Sequence, residues 1–250
     1  MSTEKPQAVH RRDYRPPDYT IDRVDLDFDL GDEETLVGAR LEVRRNFAAL
    51  GDEAPPLVLD GEDLETLEVR LDGEVLAEPR CHVGDTELTI VRPPERFVLE
   101  TRVRIHPEDN THLSGLYRTS GNFCTQCEAM GFRRITWFLD RPDVMARYTT
   151  TITADLATCP VLLSNGNRVL EEKLGGGRHR VRWEDPFPKP SYLFALVAGD
   201  LRCQRGRYTT MSGREVALEI WVEPQNVDRC EHALVSVSYT HLRAHETKAN

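Results

Sequence analysis

Three groupings of residues in this 250-residue chain are of types that could do chemistry. The first is the run Cys124-Thr-Gln-Cys-Glu-Ala-Met-Gly-Phe-Arg-Arg134, in which Glu128 stands among small and apolar neighbours rather than in a solvated charge run. If such a carboxylate is buried it needs a partner, because an isolated charge out of water is costly. A substrate ammonium group would serve. So would Arg133, Arg134 or another base, in which case Glu128 only holds its loop. The second grouping is Cys124 and Cys127, whose Cys-x-x-Cys spacing fits half of a zinc site or a redox centre. No second such pair follows, and no histidines stand at finger spacing. The surroundings also lack the strand-then-helix pattern of a thioredoxin-type motif. The expectation is reduced, structural thiols. The third grouping is His241 and His245, four residues apart and followed by Glu246, a spacing that puts two zinc ligands on one helix face. The commoner helical zinc pattern H-E-x-x-H does not occur in the sequence. The remaining histidines, at 10, 82, 106, 112, 179 and 232, are dispersed and read as ordinary surface or strand residues.

The elements that must position these groups read as strands. Ile21, Val24, Leu26, Phe28 and Leu30 interleave with Asp and Arg, and Leu36, Ala39, Leu41 and Val43 continue the pattern beyond Gly31-Asp32. Period-two alternation bounded by Gly and Asp predicts half-buried antiparallel strands. More strands are predicted at 56–59, 64–71, 87–91, 96–105, 148–153, 168–173 and 179–183. The run Tyr192–Ala198 reads as a strand buried on both faces. A hairpin is predicted around Ser212-Gly213, from Tyr208–Thr210 to Val216–Val222. Asp140-Arg-Pro-Asp143 predicts a short helix ending near Arg147, with Asp140 as its N-cap and Pro in the first turn. Asp185-Pro-Phe-Pro-Lys-Pro190 is expected to be neither strand nor helix. Arg133, Asp140 and Asp143 are read as structural. Many short strands with frequent turns predict an all-β, mainly antiparallel sandwich-like fold.

Composition narrows the function. The chain is 39% hydrophobic and 30% charged, with a formal net charge of -10. A core of real size is expected, on an acidic molecule. Nucleic-acid binding wants a basic face, so no nucleic-acid partner is expected. No apolar run approaches the roughly 20 residues of a membrane helix, and the first residues lack a signal peptide's apolar stretch. The expectation is no membrane partner and a cytoplasmic location. Six cysteines scattered through the chain are not the density of a secreted disulfide scaffold.

Several long motifs, in order, carry a resemblance. Gln126-Cys-Glu-Ala-Met-Gly-Phe-Arg-Arg, Leu139-Asp-Arg-Pro-Asp-Val-Met-Ala-Arg, Leu163-Ser-Asn-Gly-Asn, Asp185-Pro-Phe-Pro-Lys-Pro and Phe194-Ala-Leu-Val-Ala-Gly-Asp resemble the bacterial aminopeptidase N family of zinc metallopeptidases. The opening Asp13-Tyr-Arg-Pro-Pro-Asp-Tyr19 does too, and the likeness covers about residues 6–235. It implies a saddle-like β-sandwich N-terminal domain that caps a thermolysin-like catalytic domain. It implies that Glu128 accepts the α-ammonium of a peptide with a free N-terminus, and that Gln126 lines the pocket for the first side chain. It places the zinc ligands and the general base, the Glu of H-E-x-x-H, in the catalytic domain, which would be this chain's intramolecular partner. No catalytic residue and no bound zinc are then expected within these 250 residues, and the chain alone is expected to be inactive.

The likeness divides the chain into an extended arm (1–17), a β-rich domain (18–200) and the first strands of a truncated catalytic domain (201–235). The tail, 236–250, reads as a translated sequencing adapter, since Val237–Thr247 matches such an adapter in frame. On that expectation His241 and His245 are artefactual as metal ligands. The rival from another class is a stand-alone β-sheet peptide-binding module, which a natural stop codon after residue 250 would favour.

Overall fold

The alternating stretches fold as strands with one face buried. In the computed structural model, which describes residues 10–47 and 55–246, the strands are β1 (Tyr19–Leu30), β2 (Thr35–Arg45), β3 (Leu57–Asp60), β4 (Glu65–Leu71), β5 (Glu74–Val75), β6 (Cys81–Val83), β7 (Glu87–Ile90), β8 (Arg96–Ile105) and β9 (Gly115–Thr119). They continue with β10 (Asn122–Gln126), β11 (Met145–Asp155), β12 (Val161–Ser164), β13 (Asn167–Lys173), β14 (Arg178–Pro190), β15 (Leu196–Gly199), β16 (Arg202–Thr209) and β17 (Glu215–Val222). In β2 every second residue from Thr35 to Arg45 is buried. In β1 the alternation slips between Ile21 and Val24, where the pairing with β2 also shifts register. A bulge there returns Val24, Leu26, Phe28 and Leu30 to the core face.

Eight strands form one sheet in the order β13-β14-β11-β1-β2-β8-β4-β5. Its neighbours are antiparallel except at the centre, where β1 and β11 run parallel from Arg23 beside Arg147 to Asp29 beside Thr153. A four-stranded sheet, β12-β15-β10-β9, and a three-stranded sheet, β3-β7-β6, accompany it. One hydrophobic core cluster includes buried residues of all three. Its aromatic centre joins them: Phe132 lies 4.8 Å from Phe138, 5.3 Å from Phe194 and 6.1 Å from Tyr148, centroid to centroid. Phe194 stacks in turn on Phe28 of β1 at 6.0 Å. The all-β, mainly antiparallel class is as predicted.

Three local expectations are overturned. Residues 140–147 form no helix. A turn at Pro142-Asp143 leads straight into β11, and Asp140 is buried instead of capping. Asp185–Pro190 is strand, not irregular chain, and continues β14. β13 accompanies β14 only as far as Glu184, so this stretch pairs with β11 alone, across a register shift at Ala146/Tyr148. An edge with a bulge is where prolines are tolerated, because the missing donors face no neighbour. Within Tyr192–Ala198, a 3-10 turn takes Ser191–Leu193 and the strand begins only at Leu196.

The predicted hairpin forms as β16 and β17, a separate two-stranded sheet turning at Gly213. It is followed by an α-helix, α1 (Glu231–Glu246), so 201–235 is not strand throughout. Among the described residues no helix is long and apolar enough to cross a membrane. In the arm, Arg11–Asp13 makes one 3-10 turn and residues 14–18 are without regular structure; residues 1–9 lie outside the description.

Candidate functional site

Glu128 sits on the loop that leaves β10. The strand is fixed on both sides up to that point. Gln126 pairs with Gly115 of β9, and Phe123 and Cys124 pair with Ala198 and Val197 of β15. Where the ladder with β15 opens, the Thr125 hydroxyl takes over. It receives the Leu196 N–H at 2.8 Å and donates to the Leu196 carbonyl at 3.2 Å. The loop then closes on itself through the Gly131 N–H, which donates to the Cys127 carbonyl at 2.8 Å. A side chain at Gly131 would meet the Gln126 carbonyl oxygen at 2.5 Å, so only glycine fits.

Within this loop Gln126, Glu128, Ala129 and Met130 are exposed, and Cys127 is buried as its anchor. Gln126 Nε2 donates to the Glu128 carbonyl at 3.4 Å, which ties the two predicted site residues together. The peptide bond from Glu128 to Ala129 is cis. Glu128 is therefore not a buried carboxylate in search of a partner. Nor does it hold the loop through Arg133 or Arg134, because both are engaged elsewhere. Arg133 approaches Asp60 (3.4 Å), Glu62 (4.0 Å) and Asp140 (3.2 Å), and Arg134 pairs with Glu62 (2.5 Å) and Asp63. Among the described residues no cation pairs with the Glu128 carboxylate.

Polar groups gather beneath the loop. Asp140, 3% exposed, accepts from the Arg133 main-chain N–H and Nε, both at 3.2 Å, and from the Ser191 hydroxyl at 2.6 Å. The Asp140 N–H in turn donates to Asp60 Oδ2 at 3.1 Å. Burial raises the Asp60 carboxyl above its ordinary value, against the pull of Arg133. Burial, aided by the Asp140 charge, pushes the Cys127 thiol up to about 12. Cys124, half-buried, is also raised by burial and by Glu223. A reactive or metal-bound cysteine needs the opposite shift, toward thiolate, so both thiols behave as small apolar side chains. Lys189 lies 3.6 Å above the Tyr148 ring and 3.2 Å from Asp185, and burial lowers its pKa.

No group of three or more His, Cys, Asp or Glu among the described residues is placed to hold a metal ion. His241 and His245 fall within the span of α1, and their side chains lie outside the described residues. Of the residues singled out for structural roles, Asp143 accepts from Arg141 at 2.7 Å and from the Tyr14 hydroxyl at 3.0 Å, pinning the arm to the turn before β11.

Residues 16–193 match the family described as the Peptidase M1 N-terminal domain. The chain belongs to this family. The chain is 51% identical over 237 residues to aminopeptidase N of Caulobacter vibrioides, and 50% identical over 235 residues to aminopeptidase N of Escherichia coli. The matches cover 95% and 94% of the chain but only 27% and 26% of those relatives. The chain thus spans about a quarter of the length of the curated relatives it matches. Its fold superposes on Legionella pneumophila aminopeptidase A, solved with aspartic acid, with a TM-score of 0.84 at 38% identity, covering 88% of this chain and 26% of that one. An M1 zinc metallopeptidase of Deinococcus radiodurans, solved with a Tyr-Ser-Ala substrate, shares the fold at a TM-score of 0.68 and 17% identity, over 82% of this chain and 48% of that one.

Sequence reasoning missed what supports the loop in this M1 domain. Asp60, Asp140 and Ser191 come from three distant segments, and no spacing signals their meeting. The one legible sign is the acidic run Asp60-Gly-Glu-Asp63, whose charges match the Arg133-Arg134 pair. Gly61 within it is obligatory for a steric reason. A side chain there would stand 2.3 Å from the Trp137 ring, and the chain neighbours of these two residues, Asp60 and Phe138, are joined by a β-bridge.

Proposed function

We propose that the chain is the N-terminal part of a zinc-dependent aminopeptidase, in which it supplies the surface that recognises a free peptide N-terminus. The observation that carries this is Glu128, an exposed carboxylate on a loop fixed at both ends, with its near cations already committed to other acids. An exopeptidase must measure one residue from a free terminus. A carboxylate facing the α-ammonium does so through a charge-assisted hydrogen bond and rejects a chain that is blocked or continues. Gln126, tethered to the Glu128 carbonyl, would border the space for the first side chain. Likeness to two aminopeptidases N at about half identity supports the same assignment.

Zinc would polarise the scissile carbonyl and activate water, from ligands outside this chain in a catalytic domain packed against the loop. Residues 201–235 would begin that domain, and 236–250 would be non-native; the gene's own nucleotide sequence tests both. The longer protein would act in the cytoplasm, a location supported by six free cysteines, four of them buried, and tested by cell fractionation.

The experiment joins this chain to its natural downstream sequence and assays an alanyl anilide. Glu128→Gln is expected to raise KM at least tenfold with zinc content unchanged, and an N-acetylated substrate should resist cleavage. An unchanged KM would refute the assignment of Glu128. The 250-residue chain alone is expected to show no metal-dependent hydrolysis.

A further inference from the structure

We infer that Asp140, with Ser191, is a positioning residue that fixes the height and direction of the Gln126–Glu128 loop; this rests on the recognition role proposed for that loop. The loop leaves the four-stranded sheet at Gln126 and returns to the core at Phe132, and a single carboxylate ties together what lies at its two ends. On the exit side, Asp140 Oδ2 accepts both the main-chain N–H and the Nε of Arg133, at 3.2 Å each. On the approach side, Asp140 Oδ1 accepts the Ser191 hydroxyl at 2.6 Å. Ser191 begins the 3-10 turn that leads into β15, and β15 is the strand to which Thr125 is fastened, one residue before Gln126. The connections close a ring: Thr125, Leu196, Ser191, Asp140, Arg133, and back through the loop itself. The ring is rigid where it matters. Asp140 is 3% exposed and Ser191 1%, so neither is free to trade its partner for water. The Asp140 N–H is also held by Asp60.

Geometry of this kind is what a recognition carboxylate requires. Glu128 has no cation of its own among the described residues to orient it, so its placement is inherited from the loop backbone. Displacement of a positioned group by about an ångström costs on the order of a hundredfold when reacting atoms must be aligned. Asp140 itself is buried, away from the exposed face of the loop. It acts through Arg133 and Ser191.

The test uses Asp140→Asn, which keeps shape but weakens the charge-assisted bonds, and Ser191→Ala, which breaks one arm of the ring. Hydrogen–deuterium exchange on the 250-residue chain comes first. The amides of residues 127–131 should exchange at least tenfold faster in either variant, with those of β1 and β2 unchanged. Asp140→Glu should exchange faster than the parent and slower than Asp140→Asn. Loop exchange that is unchanged, or faster exchange spread evenly over β1 and β2, overturns the inference. In the chain joined to its downstream sequence, Asp140→Asn should raise KM with a smaller change in kcat. If the loop loosens and Glu128→Gln raises KM but Asp140→Asn does not, positioning by Asp140 is refuted while the recognition role stands. If the loop loosens and neither variant alters KM, the recognition role itself fails, and the inference with it.

Discussion

The contrast between Glu128 and Cys127 shows how two adjacent residues divide the work of one loop. Cys127 points into the core and carries no charge there, because burial holds its thiol protonated up to about 12. Glu128 is exposed, in contact with solvent. Alkylation at pH 8 should therefore leave Cys127 unmodified in the folded chain and modify it fully after denaturation, as read by mass spectrometry; rapid native modification would contradict the burial. Gly61 offers a sharper steric prediction. Gly61→Ala forces a methyl into the Trp137 ring, and overpacking of a closed core costs about 1–3 kcal/mol. Urea denaturation should show that loss, whereas Gly73→Ala, with no atom within 4 Å, pays only for its positive φ.

At the scale of elements, the long strands with one buried face are legible, as in Thr35–Arg45, whose every second residue turns inward, whereas the short strands β6, β9, β10 and β12 are too brief to show a period and are not among those predicted. Two stretches that read differently have a physical cause. Asp140-Arg-Pro-Asp has the local chemistry of a helix start, but Asp140 is drawn into the core by Ser191 and Arg133 and the chain goes directly into β11. The prolines of Asp185–Pro190 argue against a strand only if both sides of the strand are paired, and here one side is open. Glu128 is identifiable from its motif, while the support of its loop by residues 60 and 191 depends on contacts across 80 and 51 positions. Two predictions belong here. Thr125→Val removes the hydroxyl that serves both the N–H and the carbonyl of Leu196, leaving them without it at the end of the β10–β15 ladder; a loss of about 1–3 kcal/mol is expected by denaturation. Pro186→Ala, on the open edge, should change stability by no more than about 1 kcal/mol, since the effect falls chiefly on the unfolded chain.

For the whole molecule, carboxylates held by hydrogen bonds and one buried thiol shape the pH range of the fold. Asp143 is held below its ordinary value first by its hydrogen bond from Arg141, and Asp155 by the N–H groups of Thr158 and Ala157. Their contribution is complete above about pH 4 and is lost as pH falls through their lowered values. Cys127 acts in the other direction: raised from 9.0 to about 12, it adds stability that is full below pH 9 and disappears as pH climbs toward 12. Stability measured from pH 8 to 11 should decline, and Cys127→Ala should flatten that decline; an identical slope in the variant would dismiss the thiol as its source. The parallel pair at the centre of the large sheet has a further consequence, for synthesis. β1 is made early and pairs at once with β2 next to it, but its other neighbour, β11, begins at Met145, more than a hundred residues later. At about 5–20 residues per second, the edge of β1 stands open on the ribosome for many seconds. The strand that ends at the centre of the finished sheet thus spends its first moments as a border, its unpaired amides accessible to any passing strand until β11 arrives.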